Sequence, residues 1–221
     1  MKVNLPVLLS LNAGYVDTAG FLALQGLFTA HVTGNFVTLG ASLVFGTSGA
    51  TAKLLALPTF CVVVILARLA GGALPRLRLP VLRSLMALQV LLLAIGAILA
   101  IALGPFANGD TGSAILTGLT LVAAMAIQNA VHRVHFASAP PSTLMTGTTT
   151  QMMLDIADLM RGLDPESRVV ATARLRKMAL SVGAFALGCA AAGLIFAGAG
   201  VWCFIVPPII GFGTLLVKME E

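Results

Sequence analysis

Long apolar runs, rather than alternation of apolar and polar positions, organise this chain. Leu54–Ala70 carries a single basic residue near its end, and neither Leu85–Pro105 nor Met178–Val217 carries a charge. A helical run of about eighteen apolar residues is long enough to cross a bilayer. On that criterion six spans are predicted, near Leu5–Leu24, Leu54–Leu74, Leu82–Leu103, Gly112–Val131, Met178–Ala197 and Gly200–Val217. Two further apolar segments, Gly34–Phe45 and Gly147–Met160, are shorter, and the second carries Asp155 and Asp158. A dozen helical residues reach only about 18 Å, against a hydrocarbon core of about 30 Å.

The expected fold class is therefore an all-α integral membrane protein, with about six transmembrane helices and two short re-entrant (broken) helices. The longest strongly polar stretch, Arg161–Lys177, leaves no room for a separate soluble domain, so residues 1–221 are read as one membrane domain. Composition agrees: 58% of the 221 residues are hydrophobic and 10% are charged, where a soluble domain carries about 25% charged residues. Lys2 followed by Leu5–Leu11 has the outline of a signal peptide. Asn12 and Asp17 interrupt it, and no small-x-small cleavage site precedes them, so an uncleaved first span is expected. The three cysteines, Cys61, Cys189 and Cys203, all lie in apolar segments as small core residues and have no metal-site spacing.

Charge decides how the short segments are treated. If both return to the side they entered from and the N-terminus is cytoplasmic, Lys2, Arg76, Arg78, Arg83, Arg161, Arg168, Arg174, Arg176, Lys177 and Lys218 all fall inside. Arg68 and Arg133 then lie at inner helix ends, and only Lys53 falls outside. That distribution follows the positive-inside rule; full crossing by both segments would put Arg76, Arg78 and Arg83 outside. The expected location is a bacterial inner membrane, with both termini cytoplasmic. The net charge of +5 reflects this topology and gives no indication of nucleic acid.

The short segments open alike. Thr29-Ala30-His31-Val32-Thr33-Gly34-Asn35 superposes on Ser142-Thr143-Leu144-Met145-Thr146-Gly147-Thr148, which brings Asp17 within a residue of Asn129. Each half, 1–106 and 107–221, then reads as a polar-interrupted span, a short Thr-Gly helix and two more spans. Three spans is an odd number, so the second half is inverted, an arrangement found in many secondary transporters.

Candidate chemistry gathers at these breaks. Asp17 lies roughly 18 Å along the first span, where an acid is costly and points to function or to a tether for the broken helix. It is read as a coupling or polar-relay residue together with His31 and Asn129, with Asn12 and Tyr15 as possible partners. Thr33, Gly34, Asn35, Thr146, Gly147 and Thr148 are read as solute-binding residues. Glycine admits close approach, helix N-termini favour anions, and hydroxyls and amides add donors; the alternative for all six is ordinary capping. Gln128 and Asn129 are expected to bond between helices, His132, Arg133 and His135 to snorkel at the inner end rather than to gate it, and Asp155 with Asp158 to form a solvated or interface face rather than a reactive carboxylate pair.

The chain has no GxxxxGK[ST], HExxH or GxSxG motif, so neither enzymatic activity nor a cofactor or metal is expected. The function expected is that of a small secondary transporter or channel for a small, anionic solute bound between the two Thr-Gly helix starts. The alternative is a non-transporting scaffold or sensor. Partners are the lipid bilayer, the solute and a second copy of the chain. Asn12-Ala13-Gly14-Tyr15-Val16-Asp17, His31-Val32-Thr33-Gly34-Asn35, Gln128-Asn129 and Thr146-Gly147 together resemble the YoaK-like family of uncharacterised bacterial inner-membrane proteins. That resemblance covers essentially the whole chain and implies membrane location, but no substrate or catalytic residue.

Overall fold

The computed structural model describes residues 4–217. Lys2 and Lys218, counted above among the inner charges, lie outside them. The described residues form eight α-helices and two 3-10 turns, with no strand. The helices are α1 (Leu5–Ala23), α2 (Gly34–Phe45), α3 (Ala50–Ala73), α4 (Val81–Leu103), α5 (Gly112–His135), α6 (Met145–Arg161), α7 (Pro165–Ala199) and α8 (Val206–Leu216). The short first segment keeps its expected limits, while the second is slightly longer than expected. Helix α7 begins well before Met178: Asp164 caps it through the Glu166 and Ser167 amides and Pro165 opens it. Most of the polar stretch after Arg161 is thus helix rather than loop.

Five helical stretches are long and apolar enough to cross a membrane: Leu5–Ala23, Ala50–Leu77, Val81–Leu103, Gly112–His135 and Pro165–Leu216. The last, of 52 residues, contains both α7 and α8 and is broken at Gly200, whose φ of +56° favours glycine. The chain reverses there. Val201 lies beside Gly104 at the end of α4, while Leu215 and Val217 pack near Leu5, Leu9, Leu82 and Leu85 at the opposite ends of α1 and α4.

Small residues set the closest contact. A Cβ on Gly14 would collide with the Phe185 carbonyl, and one on Gly188 with the Leu11 carbonyl, so α1 and α7 meet backbone to backbone. In a membrane, where burial of apolar surface between helices adds little, such close packing holds helices together. Other pairings are α3 with α5 and α4, α4 with α5 and α8, α1 with α8 and α5, α2 with α3, and α6 with α7. Much of the apolar surface of α3 and α2 faces outward, including Ile65, Leu66, Leu69, Val37, Leu43 and Val44. That is the surface expected of helices solvated by lipid.

Candidate functional site

After α1 the chain turns back on itself. Gln25 and Gly26 both take positive φ, and the loop then lies against α1 at Gly20, where a Cβ would press on Thr29. Asp17 holds it there. One carboxylate oxygen accepts from the Thr29 amide at 2.7 Å, the Ala30 amide at 2.8 Å and the His31 amide at 3.4 Å. Since α1 continues for six residues past Asp17, the loop has returned about 9 Å along the helix. A carboxylate is suited to this place because it offers several lone pairs to backbone donors that would otherwise be buried unpaired. Neither Asn12 nor Tyr15 bonds to Asp17: the Tyr15 hydroxyl donates to the Cys203 carbonyl, and the Asn12 amide has no partner among the described residues.

Asn35 closes the same loop. Its amide accepts from the Phe28 N–H at 2.9 Å and donates to the Phe28 carbonyl at 2.7 Å. The Phe28 ring sits between Phe21 and His31, with centroids at 5.0 and 6.0 Å, and covers Gly34. Thr33 occupies the N-cap position of α2 but makes no side-chain cap bond and is exposed.

The loop after α5 also turns back, on different chemistry. Thr143 donates to the Asn129 amide oxygen at 2.7 Å, and Asn129 in turn donates to the Met125 carbonyl at 2.9 Å. Gln128 donates to the Ser142 hydroxyl at 3.1 Å and to the Leu9 carbonyl at 2.9 Å, and accepts from Gln89 at 2.7 Å. Ser142 has thus come back about 10 Å along α5 from His135. At the start of α6, Thr148 is buried and donates to the Leu144 carbonyl at 3.2 Å, whereas Thr146 and Gly147 are exposed. A Cβ on Gly147 would meet nothing within 4 Å, so no close approach requires glycine there.

Two cavities flank this second loop. One, of about 420 Å³, lies between α3, α5 and the loop and is lined by Asn129, His132, Arg133 and Ser142 among apolar residues. The other, of about 400 Å³, lies between the loop, the start of α6 and α7, and includes Gly147, Thr148, Arg174 and Lys177. Neither is lined by Thr33, Gly34 or Asn35. The first loop unites Asp17, the His31 backbone and Thr29; the second unites Asn129, Thr143, Gln128 and Ser142.

One expectation changes. His132 does not snorkel: it is buried, and neither ring nitrogen has a hydrogen-bond partner among the described residues. Its spacing of four residues from Gln128 was the available signal, because that spacing puts both on one face of α5. Asp155 and Asp158 divide the expected solvated or interface face between them: Asp158 is exposed, and Asp155 is buried against α7, accepting from Arg174 of α7 at 2.8 Å and from Gln151 of its own helix at 2.8 Å. The Arg174 guanidinium holds the Asp155 carboxyl below its usual range.

The fold and these polar fold-backs define a helical protein with membrane-capable apolar helices and two loops tied back along the helices that precede them. Residues 5–217 match the family described as "Protein of unknown function (DUF1275)", and the chain belongs to that family. No curated protein and no solved structure matches it.

Proposed function

We propose that this chain is a small secondary transporter or channel for a small anionic solute, built as two inverted halves, each of three spans and one re-entrant helix. Taking α7 and α8 as separate spans on either side of Gly200 gives six. The observation that carries the reading is the pair of matched fold-backs. Asp17 ties the chain ahead of α2, and Asn129 ties the chain ahead of α6.

The packing supports the same exchange. When α1, α2, α3 and α4 are swapped with α5, α6, α7 and α8, the contact of α1 with α7 becomes that of α5 with α3. The contact of α2 with α3 becomes that of α6 with α7, and the contact of α4 with α5 becomes that of α8 with α1. Discontinuous helices ending near mid-depth in inverted repeats are how many secondary transporters build a solute site. In this reading the two Thr-Gly starts open in turn: the α6 start adjoins a cavity, and the α2 start is closed by Phe28 and Asn35. Orientation follows from the basic residues, with the α5–α6 loop on the cytoplasmic side of a bacterial inner membrane. The YoaK-like resemblance agrees with the family and adds no substrate.

Flux in proteoliposomes across a panel of small anions tests this. Absence of flux for every anion defeats transport. Equal flux by the wild type and a Thr33→Val, Thr146→Val double variant defeats the assignment of the site to the helix starts. One observation favours a scaffold or sensor instead: the Asp17 carboxylate is engaged by backbone donors and faces no cavity. On that reading neither flux nor solute binding is found.

A further inference from the structure

His132 is an unusual residue to find buried. It is 6% exposed, and neither ring nitrogen makes a hydrogen bond of good geometry among the described residues; the Ala139 and Pro140 carbonyls are close enough only to act on the ring more weakly. A buried polar group without a partner is costly, and this one lines the cavity of about 420 Å³ between α3 and the α5–α6 loop.

Its neighbours there are donors. Ser142, 2% exposed, accepts from Gln128 and keeps its own proton to give. Asn129 has its oxygen taken by Thr143 and one N–H given to Met125, which leaves a second N–H. At the mouth stands Arg133, which has no carboxylate partner among the described residues. No aspartate or glutamate lines the cavity, and Phe60 and Val64 of α3 form an apolar wall.

We propose that this cavity binds a small organic monocarboxylate, its carboxylate held by His132, Ser142 and Arg133 and its carbon body against Phe60 and Val64. One guanidinium balances one negative charge. A dianion such as phosphate would leave its second charge against apolar walls, at high cost, and a halide would leave those walls uncovered. The volume lies within the range of small-molecule sites. This cavity lies across the α5–α6 loop from the one at the α6 start and goes beyond the transport reading; it rests on that reading for the fate of the bound anion, though not for binding itself.

The test uses the full chain in nanodiscs of zwitterionic lipid, observed by NMR of isotope-labelled histidine. A His31→Gln, His135→Gln double variant leaves His132 as the sole histidine of the three. Butyrate and benzoate are the probes, with chloride and inorganic phosphate for comparison. The expected result is a saturable shift of the His132 ring signals with the carboxylates. Adding Arg133→Gln, at an exposed position, weakens it about tenfold, the worth of one charge-assisted hydrogen bond. The proposal is overturned if the carboxylates leave His132 unmoved, if phosphate or chloride shifts it equally, or if the shift appears only when phosphatidylglycerol is added to the discs. Binding without flux would keep this site and end the transport reading; flux without binding at His132 would do the reverse.

Discussion

Asp17 holds the loop after α1 through backbone N–H groups, whereas Asn129 and Gln128 hold the loop after α5 through the hydroxyls of Thr143 and Ser142. The first loop is closed: Phe28 and Asn35 seal it, and neither flanking cavity reaches it. The second has a cavity on each side and a buried histidine without a partner. A carboxylate that collects several backbone donors fixes the main chain itself. Amide-to-hydroxyl bonds fix only side chains, which can exchange one acceptor for another. The difference marks the α5–α6 loop as the one more easily moved or liganded.

The largest expected effect comes from breaking the stiffer tether. Asp17→Ala leaves the Thr29 and Ala30 amides without an acceptor at depth, and should cost about 3–6 kcal/mol. Unfolding of the purified protein in mixed micelles measures it, and a loss under 1 kcal/mol would show that the carboxylate is not the tether. Next comes Asn129→Asp, which makes the second loop resemble the first in sequence. With hydroxyl rather than amide partners, and with the Met125 carbonyl now facing an acceptor, it should destabilise by about 2–3 kcal/mol. Stabilisation in the same assay would erase the contrast between the loops.

The docking of α6 on α7 should depend on acid. Asp155 has its carboxyl held low by Arg174, so the pair contributes fully above the ordinary carboxylate range, near pH 4, and its contribution is lost as pH falls through the lowered value. Arg174 is half exposed, which keeps the pair's contribution small. A cysteine reporter at Asp158, labelled with an acid-tolerant reagent, should become more reactive only below that range, and the dependence should vanish in Asp155→Asn. The smallest contrast is between the two glycines. Gly147→Ala meets open space and should change stability by under about 1 kcal/mol in either direction. Gly34→Ala presses on the Phe28 ring and should be the more harmful of the two in side-by-side thermal melts.

The apolar runs alone placed most helices to within a few residues, because a span in lipid must be long, apolar and self-bonded along its backbone. Asp17 and Asn129, and the two short helices, were equally legible, since an acid or amide in an apolar run stands out; the breaks expected at those two residues are absent, α1 and α5 running unbroken through them. The start of α7 was not, because Asp164 and Pro165 cap a helix whose first turns are polar and are supported by α6 rather than by lipid.

Partnership is another matter. Residue types and spacing announced that Asp17, Asn129, Thr148 and His132 were polar groups in an apolar chain. Only the folded arrangement decided that Asp17 spends its lone pairs on its own loop, that Thr148 bonds back to Leu144, and that His132 is left facing a cavity. The physical reason is range. Whether a segment can enter a membrane depends on its own composition, whereas a hydrogen bond depends on which groups, many residues apart, are brought within 3 Å or so of each other.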